Sequence, residues 1–250
     1  LRRGDAATAE SALQKAVGFD PQSQRVHLLR VRLAARKKDW GQVEKVLDSV
    51  PALKATPEGR QLLLEAYVAS QKLETAEKLV GEVFSANPGD FSPLASYATM
   101  CAERDDLDAA VRPLAAVADT LISRKETGPL VESLRQIWAK SAQHLPTLEV
   151  LYRVYERTGE EFSLGEVIQS LGRGYLEAGQ LEKAEEFCRK LVNRAPENEK
   201  YNNLLKDVLQ KQGKEAELPA LALAGPATLE AVLPAETAPA PAVDAEEAAM

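Results

Sequence analysis

Apolar residues recur in trios spaced four and three apart, each headed by a small residue: Ala9, Leu13, Ala16; Val43, Leu47, Val50; Ala76, Val80, Val83; Ala110, Leu114, Val117; Ala184, Cys188, Leu191. Steps of four and three put each trio on one face of a helix. Three residues before the small one stands a bulky group, Trp40, Leu73, Leu107 or Leu181, which begins the buried stripe. A polar triplet precedes it: Lys37-Lys38-Asp39, Ser70-Gln71-Lys72, Arg104-Asp105-Asp106 or Ala178-Gly179-Gln180. These triplets break the chain between two helices. Pro21, Pro88, Pro146 and Pro196 close the units, because proline cannot continue a helix interior. Ala9, Val43, Ala76 and Ala110 fall about 34 residues apart, the period of a helix-turn-helix repeat. Leu63, Tyr67, Leu73, Ala76, Glu77 and Pro88 also recur as Leu171, Tyr175, Leu181, Ala184, Glu185 and Pro196, all at one interval. The pattern predicts an all-α array of stacked helix pairs, and such arrays bind rather than catalyse.

The middle departs from this regularity. Pro88, Pro146 and Pro196 stand further apart than one repeat, and Pro113 falls inside a helical stretch. The pattern predicts helices over 91–103 and 107–124, a break at Thr127-Gly128, and a stripe of Leu130, Leu134, Ile137, Trp138 and Ser141. Helices over 147–157 and 162–178 follow, joined by a turn at Thr158-Gly159. Extra or elongated helices are expected across about 111–170.

The segments Tyr-Val-Ala-Ser-Gln-Lys-Leu-Glu-Thr-Ala-Glu at 67–77 and Tyr-Leu-Glu-Ala-Gly-Gln-Leu-Glu-Lys-Ala-Glu at 175–185 resemble the tetratricopeptide repeat family, and the resemblance extends over most of 1–212. It implies a right-handed helix-turn-helix solenoid with a concave groove lined mainly by the first helix of each pair. It also implies a non-catalytic scaffold that holds a partner peptide or helix in that groove. In the predicted helix 23–37, Val26, Leu29 and Leu33 mark one stripe, while Arg25, Arg32 and Arg36 lie on another face and match groove-facing positions of the family. Arg173 beside Gln169, with Arg153 and Arg157, extends a basic track suited to carboxylates. Glu58, Glu65, Glu166 and Glu177 interrupt it. The competing reading is an ordinary solvated face on amphipathic helices. The family's lysine and asparagine clamp for extreme carboxyl termini has no counterpart here, which disfavours chaperone-tail recognition. Two alternatives remain: a recognition arm of a larger enzyme such as a glycosyltransferase or kinase, or self-assembly through the stripe near Leu13 at the N-terminal end.

Composition changes the picture at the C-terminus. The chain is 45% hydrophobic, 28% charged and only 5% aromatic, which favours helix. Residues 215–250 hold no Lys or Arg, and their acids, Glu215, Glu217, Glu230, Glu236, Asp244, Glu246 and Glu247, equal the whole net charge of -7. The array expected over 1–214 is therefore formally neutral, and with no basic patch interleaved with aromatics it does not suit nucleic acid. The Ala/Pro/Glu-rich segment 215–250 cannot bury enough surface to offset its ordering entropy and is expected to be a disordered tail. Reaching back to Arg25, Arg32 and Arg36, it would compete with an acidic partner.

Candidate chemistry is sparse. His27 and His144 lie in different units without nearby cysteine or paired carboxylates and read as surface residues, so no metal or cofactor site is expected. Cys101 and Cys188 read as small core residues, not as a disulfide. Gly172-Arg173-Gly174 lies in an aliphatic helix and reads as close helix packing, not a phosphate loop. No stretch is apolar enough to span a bilayer or resembles a secretory signal, and two unpaired cysteines point to a reducing, cytoplasmic compartment. Leu1 is not an initiator methionine, and 4–21 reads as a second helix without its first, so the chain is expected to be a piece of a longer protein.

Overall fold

The computed structural model describes residues 6–214; the expected tail, 215–250, lies outside the described residues. The described residues form thirteen helices and no strand: α1 (Ala6–Phe19), α2 (Gln24–Arg36), α3 (Trp40–Ser49), α4 (Pro51–Lys54), α5 (Pro57–Ala69), α6 (Leu73–Ala86), α7 (Ser92–Glu103), α8 (Leu107–Arg124), α9 (Gly128–Lys140), α10 (Leu145–Thr158), α11 (Glu161–Glu177), α12 (Leu181–Arg194) and α13 (Glu199–Lys211).

The bulky residues of the pattern, Trp40, Leu73, Leu107 and Leu181, are the first residues of α3, α6, α8 and α12. The four polar triplets before them share one conformation. The middle residue is left-handed, with φ of 57° at Lys38, 60° at Gln71, 61° at Asp105 and 73° at Gly179. The next amide then donates back to a carbonyl five residues earlier: Asp39 to Ala34, Lys72 to Tyr67, Asp106 to Cys101 and Gln180 to Tyr175. This closure satisfies a carbonyl left open at the end of the first helix. At Asp39 and Asp106 the side chain also accepts from the amide of Gln42 or Ala109, each at 3.1 Å, so one triplet both stops a helix and starts the next.

The pairs α2/α3, α5/α6, α7/α8, α9/α10 and α11/α12 stack into two rows. In the first-helix row α2 packs on α5, α5 on α7, α7 on α9 and α11 on α13; in the second-helix row α6 packs on α8 and α8 on α10. Side chains complete both rows, from Arg135 of α9 to Ser163 of α11 at 3.0 Å and from Lys190 of α12 to Tyr152 of α10 at 2.9 Å. The core is correspondingly continuous, with α5 turning Leu63 and Ala66 toward one cluster and Leu64 and Val68 toward the next. The copy-equivalent Leu63 and Leu171, and Ala76 and Ala184, are completely buried.

A carboxylate follows the small residue in four copies, and each binds a cation from the next unit. Glu10 pairs with Lys37, Glu44 with Lys72 at 2.5 Å, Glu77 with Arg112 at 2.7 Å and Glu185 with Lys214 at 2.8 Å. In the remaining copy the position is Val111, which is buried. There the join is made instead by Lys140 donating to the Ala102 carbonyl at 2.9 Å and by His144 bonding Asp108 at 3.1 Å.

Three expectations need correction. The four-residue helix α4 has no counterpart in the sequence pattern. The buried residues of α2 are His27, Val31, Leu33 and Ala34, whereas Leu29 is 38% exposed and Val26 half-buried. The reason is that α2 is packed by α1, α3, α4 and α5 together, which centres its buried arc on Val31. His27 is accordingly a core residue, its Nε2 2.9 Å from the Pro21 carbonyl. His144 is half-buried at the N-terminus of α10, with Nδ1 bonded to Thr147 at 2.7 Å. Through the middle the described helices alternate between the rows without an unpaired one, α8 and α11 being long at 18 and 17 residues. Pro113 sits buried inside α8, where it removes the amide that would bond the Ala109 carbonyl.

Candidate functional site

The outer face of α2 is built by its own periodicity. Arg25, Leu29, Arg32 and Arg36 follow at steps of four, three and four, which aligns them in one stripe. All four are exposed, so Leu29 belongs with the arginines rather than with the buried stripe. Between Gln24 and Lys38 the chain carries Arg25, Arg30, Arg32, Arg36, Lys37 and Lys38 and no acid. Two of these are neutralised in place. Arg32 donates from Nε and Nη2 to the two Glu58 oxygens at 2.5 and 2.8 Å, a fork that raises the arginine pKa and lowers that of Glu58, while Lys37 binds Glu10. Arg25, Arg30, Arg36 and Lys38 have no ion-pair partner among the described residues.

Arg173 is exposed and Gln169 half-buried on α11, aligned with Phe162 and Glu166. Phe162 is 94% exposed, an unusual position for that side chain. Arg173 projects between two glycines that bring the helix close to its neighbours. A Cβ at Gly172 would lie 3.1 Å from Cys188 Sγ, and one at Gly174 would lie 2.8 Å from Leu145 Cδ2. These residues share the first-helix row with the α2 stripe, but α5, α7 and α9 stand between, so there are two contact points along one row rather than one cluster.

Arg153 and Arg157 do not join them. Both lie on α10, the second helix of its pair, which packs on α8. Arg157 binds Asp119 of α8 at 2.8 Å; Arg153 lies 3.6 Å from the same carboxylate and donates to the Ala115 carbonyl at 3.0 Å. Their work is to join two second helices. The proposed basic track breaks here because counting α9 as a first helix makes α10 a second one.

One arrangement escaped the sequence reading. Arg135 of α9 donates to the Tyr155 hydroxyl at 2.8 Å and the Ser163 hydroxyl at 3.0 Å, its guanidinium 5.8 Å from the Tyr155 ring centre. It faces a cleft of about 650 Å³ that Val131, Ala139 and Thr158 also line. Glu132 and Glu160 share this lining, so the cleft has no excess of positive charge and does not match the α2 face. No local signal marks it, since its partners lie 20 and 28 residues away.

The buried thiols offer no nucleophile. Cys101 and Cys188 are free and buried; burial pushes the Cys101 thiol up and that of Cys188 up to about 12. Among the described residues no three His, Cys, Asp or Glu side chains converge as a metal-ligand set, and no helix is long and apolar enough to cross a membrane.

Residues 1–66 match the model of the tetratricopeptide repeat family. No curated protein matches the chain. Among solved structures, "Structure of Naa15/Naa10 bound to HypK-THB" aligns at 14% identity over 88% of this chain and 34% of that one, with a TM-score of 0.45. "Crystal structure of APC/C hetero-tetramer Cut9-Hcn1" aligns at 12% identity over 85% of this chain and 47% of that one, with a TM-score of 0.27. The chain thus spans about a third and just under half of those two chains. The matched segment holds the α2/α3 pair, and the pairs that follow repeat its turn and packing, so the described residues form a solenoid of stacked helix pairs similar to that family. Arrays of this architecture present extended binding surfaces to other proteins.

Proposed function

We propose that this tetratricopeptide-type array is a non-catalytic scaffold that holds an acidic segment of a partner protein along its first-helix row, with the α2 face as the main contact. The observation that carries the reading is the pair of exposed arginines, Arg25 and Arg36, that have no ion-pair partner among the described residues and flank the exposed Leu29 on one stripe. An isolated guanidinium on a helix offers a planar fork to a carboxylate, as Arg32 already does to Glu58. Leu29 adds an apolar contact within the same stripe, which favours a segment that alternates acidic and apolar residues over a purely acidic one. Arg173 with Gln169 supplies a second contact further along the row, on the same stripe of α11 as Phe162. Arg153 and Arg157 serve the array itself. A reducing, cytoplasmic setting suits two buried free thiols.

The test is affinity capture with the full chain beside an Arg25→Glu/Arg36→Glu variant, quantified by mass spectrometry. A partner captured by the native chain and lost from the variant supports the reading; a partner retained at equal abundance contradicts it. Self-association is the second reading, favoured by Phe19 of α1 at 91% exposure. Mass that rises with concentration, and ceases to do so in Phe19→Ser, would support it.

A further inference from the structure

We infer that the α2 face is occupied, when no partner is bound, by the chain's own acidic segment at 243–247, Val243-Asp244-Ala245-Glu246-Glu247. Arg25, Arg30, Arg36 and Lys38 have no ion-pair partner among the described residues, whereas 215–250 holds seven acids and no Lys or Arg. Since 1–214 is formally neutral, this concentration of cations over 25–38 and of acids over 215–250 is a strong asymmetry within one chain.

Spacing also fits. Arg25 and Arg36 are separated by about 16 Å along α2 at 1.5 Å per residue. The span from Asp244 to Glu247 is about 10 Å when extended, and two arginine side chains close the difference. Arg32 is not required, because Glu58 already occupies its fork. Ala245, between Asp244 and Glu247, is the apolar residue in register with Leu29, which stands between the two free arginines.

Reach is sufficient. From α13 to α2 the first-helix row makes a handful of helix-to-helix steps of 8–10 Å, roughly 50 Å in all. The stretch from 214 to 244 spans up to about 100 Å extended and about 30 Å as a flexible coil. The segment therefore reaches α2 without being drawn taut, and tethering gives it a local concentration that a free peptide must exceed. Arg25 and Arg36 are exposed, so the association weakens as salt rises.

This inference shares the α2 face with the function proposed above, but its test contains no partner, so the two fail separately. A fluorescein-labelled peptide of residues 240–250 is titrated at low salt into three forms of the chain 1–250. These are the native chain, an Asp244→Asn/Glu246→Gln/Glu247→Gln variant, and that variant with Arg25→Gln and Arg36→Gln added. The exchanged arginines are exposed and without ion-pair partners among the described residues, so the fold is expected to persist, with circular dichroism as the check. The expected result is that the acid-neutralised chain binds the peptide at least tenfold more tightly than the native chain, that the arginine changes remove this binding, and that native protection does not depend on chain concentration. Equal binding to native and neutralised chains overturns the inference, as does no binding to the neutralised chain or binding that survives the arginine changes. Protection that grows with chain concentration would assign the face to the tail of a second copy and likewise overturn it.

Discussion

Replacing Gly59 with alanine tests the packing that seats α5 beside the arginine stripe. Alanine is ordinarily the better helix residue by about 1 kcal/mol. Here the added Cβ would lie 2.1 Å from the Leu53 carbonyl oxygen and 3.0 Å from both the Leu53 carbonyl carbon and Thr56 Oγ1. The obstruction is backbone, so no side-chain rotation relieves it, and the four-residue helix α4 must move by about 1 Å for the contact to become ordinary. Overpacking of this severity costs about 3 kcal/mol or somewhat more. Against the propensity gain, the net destabilisation is about 2 kcal/mol, which for an array of this size lowers Tm by roughly 4–8 °C. Gly165 is the control, because it lies inside α11 and a Cβ there meets nothing within 4 Å. Gly165→Ala is expected to raise Tm by roughly 2–4 °C. Thermal unfolding followed by circular dichroism reads both. If Gly59→Ala proves as stable as the parent, the close approach of α5 to Leu53, and with it the placement of Glu58 against Arg32, is wrong.

Three further predictions concern the turns, an inter-unit ion pair and the thiols. Gln71→Gly is expected to stabilise by about 1 kcal/mol and Gly179→Ala to destabilise by a similar amount, since both positions are left-handed and a Cβ at Gly179 meets only its own backbone strain; urea unfolding at fixed pH measures both. Hydrogen bonds from Lys214, with Arg189 assisting, hold the Glu185 carboxylate down to about 2 from an ordinary value of 4.5. Its stabilisation is therefore complete above about pH 4.5 and is lost as pH falls toward 2. The stability gap between native and Glu185→Gln should narrow across that window, and a gap that widens there would refute the assignment. Cys101 and Cys188, buried with raised pKa values, should resist a thiol reagent in the native chain at pH near 8 and both react on unfolding.

Much of the fold was legible because the repeat writes its signals locally. Each polar triplet contains both the residue that turns left-handed and, at Asp39 and Asp106, the cap of the next helix, and the buried trios follow at helical steps. The equivalence of Glu77 and Glu185 was visible as letters. Their partners, Arg112 and Lys214, lie 35 and 29 residues on and could be found only in three dimensions. The α2 stripe was misread because apolar spacing identifies a buried arc only when one neighbour covers the helix; four elements cover α2, which leaves Leu29 outside and takes His27 in. Arg153 and Arg157 were misplaced for a different reason. Long helices in the middle hide which member of a pair α10 is, and its row depends on that parity. Arg25, Arg36, Gln169 and Arg173 lie on first helices; the pattern carried that much, but not the gap between α2 and α11.

The most direct measurement of the account is site-specific photo-crosslinking of a captured partner, with a photoreactive residue placed at Leu29 on the first-helix row or at the exposed Ala116 of α8 on the second. The account predicts a crosslink from Leu29 that disappears with Arg25→Glu/Arg36→Glu, and none from Ala116. A crosslink from Ala116 with Leu29 silent would contradict it.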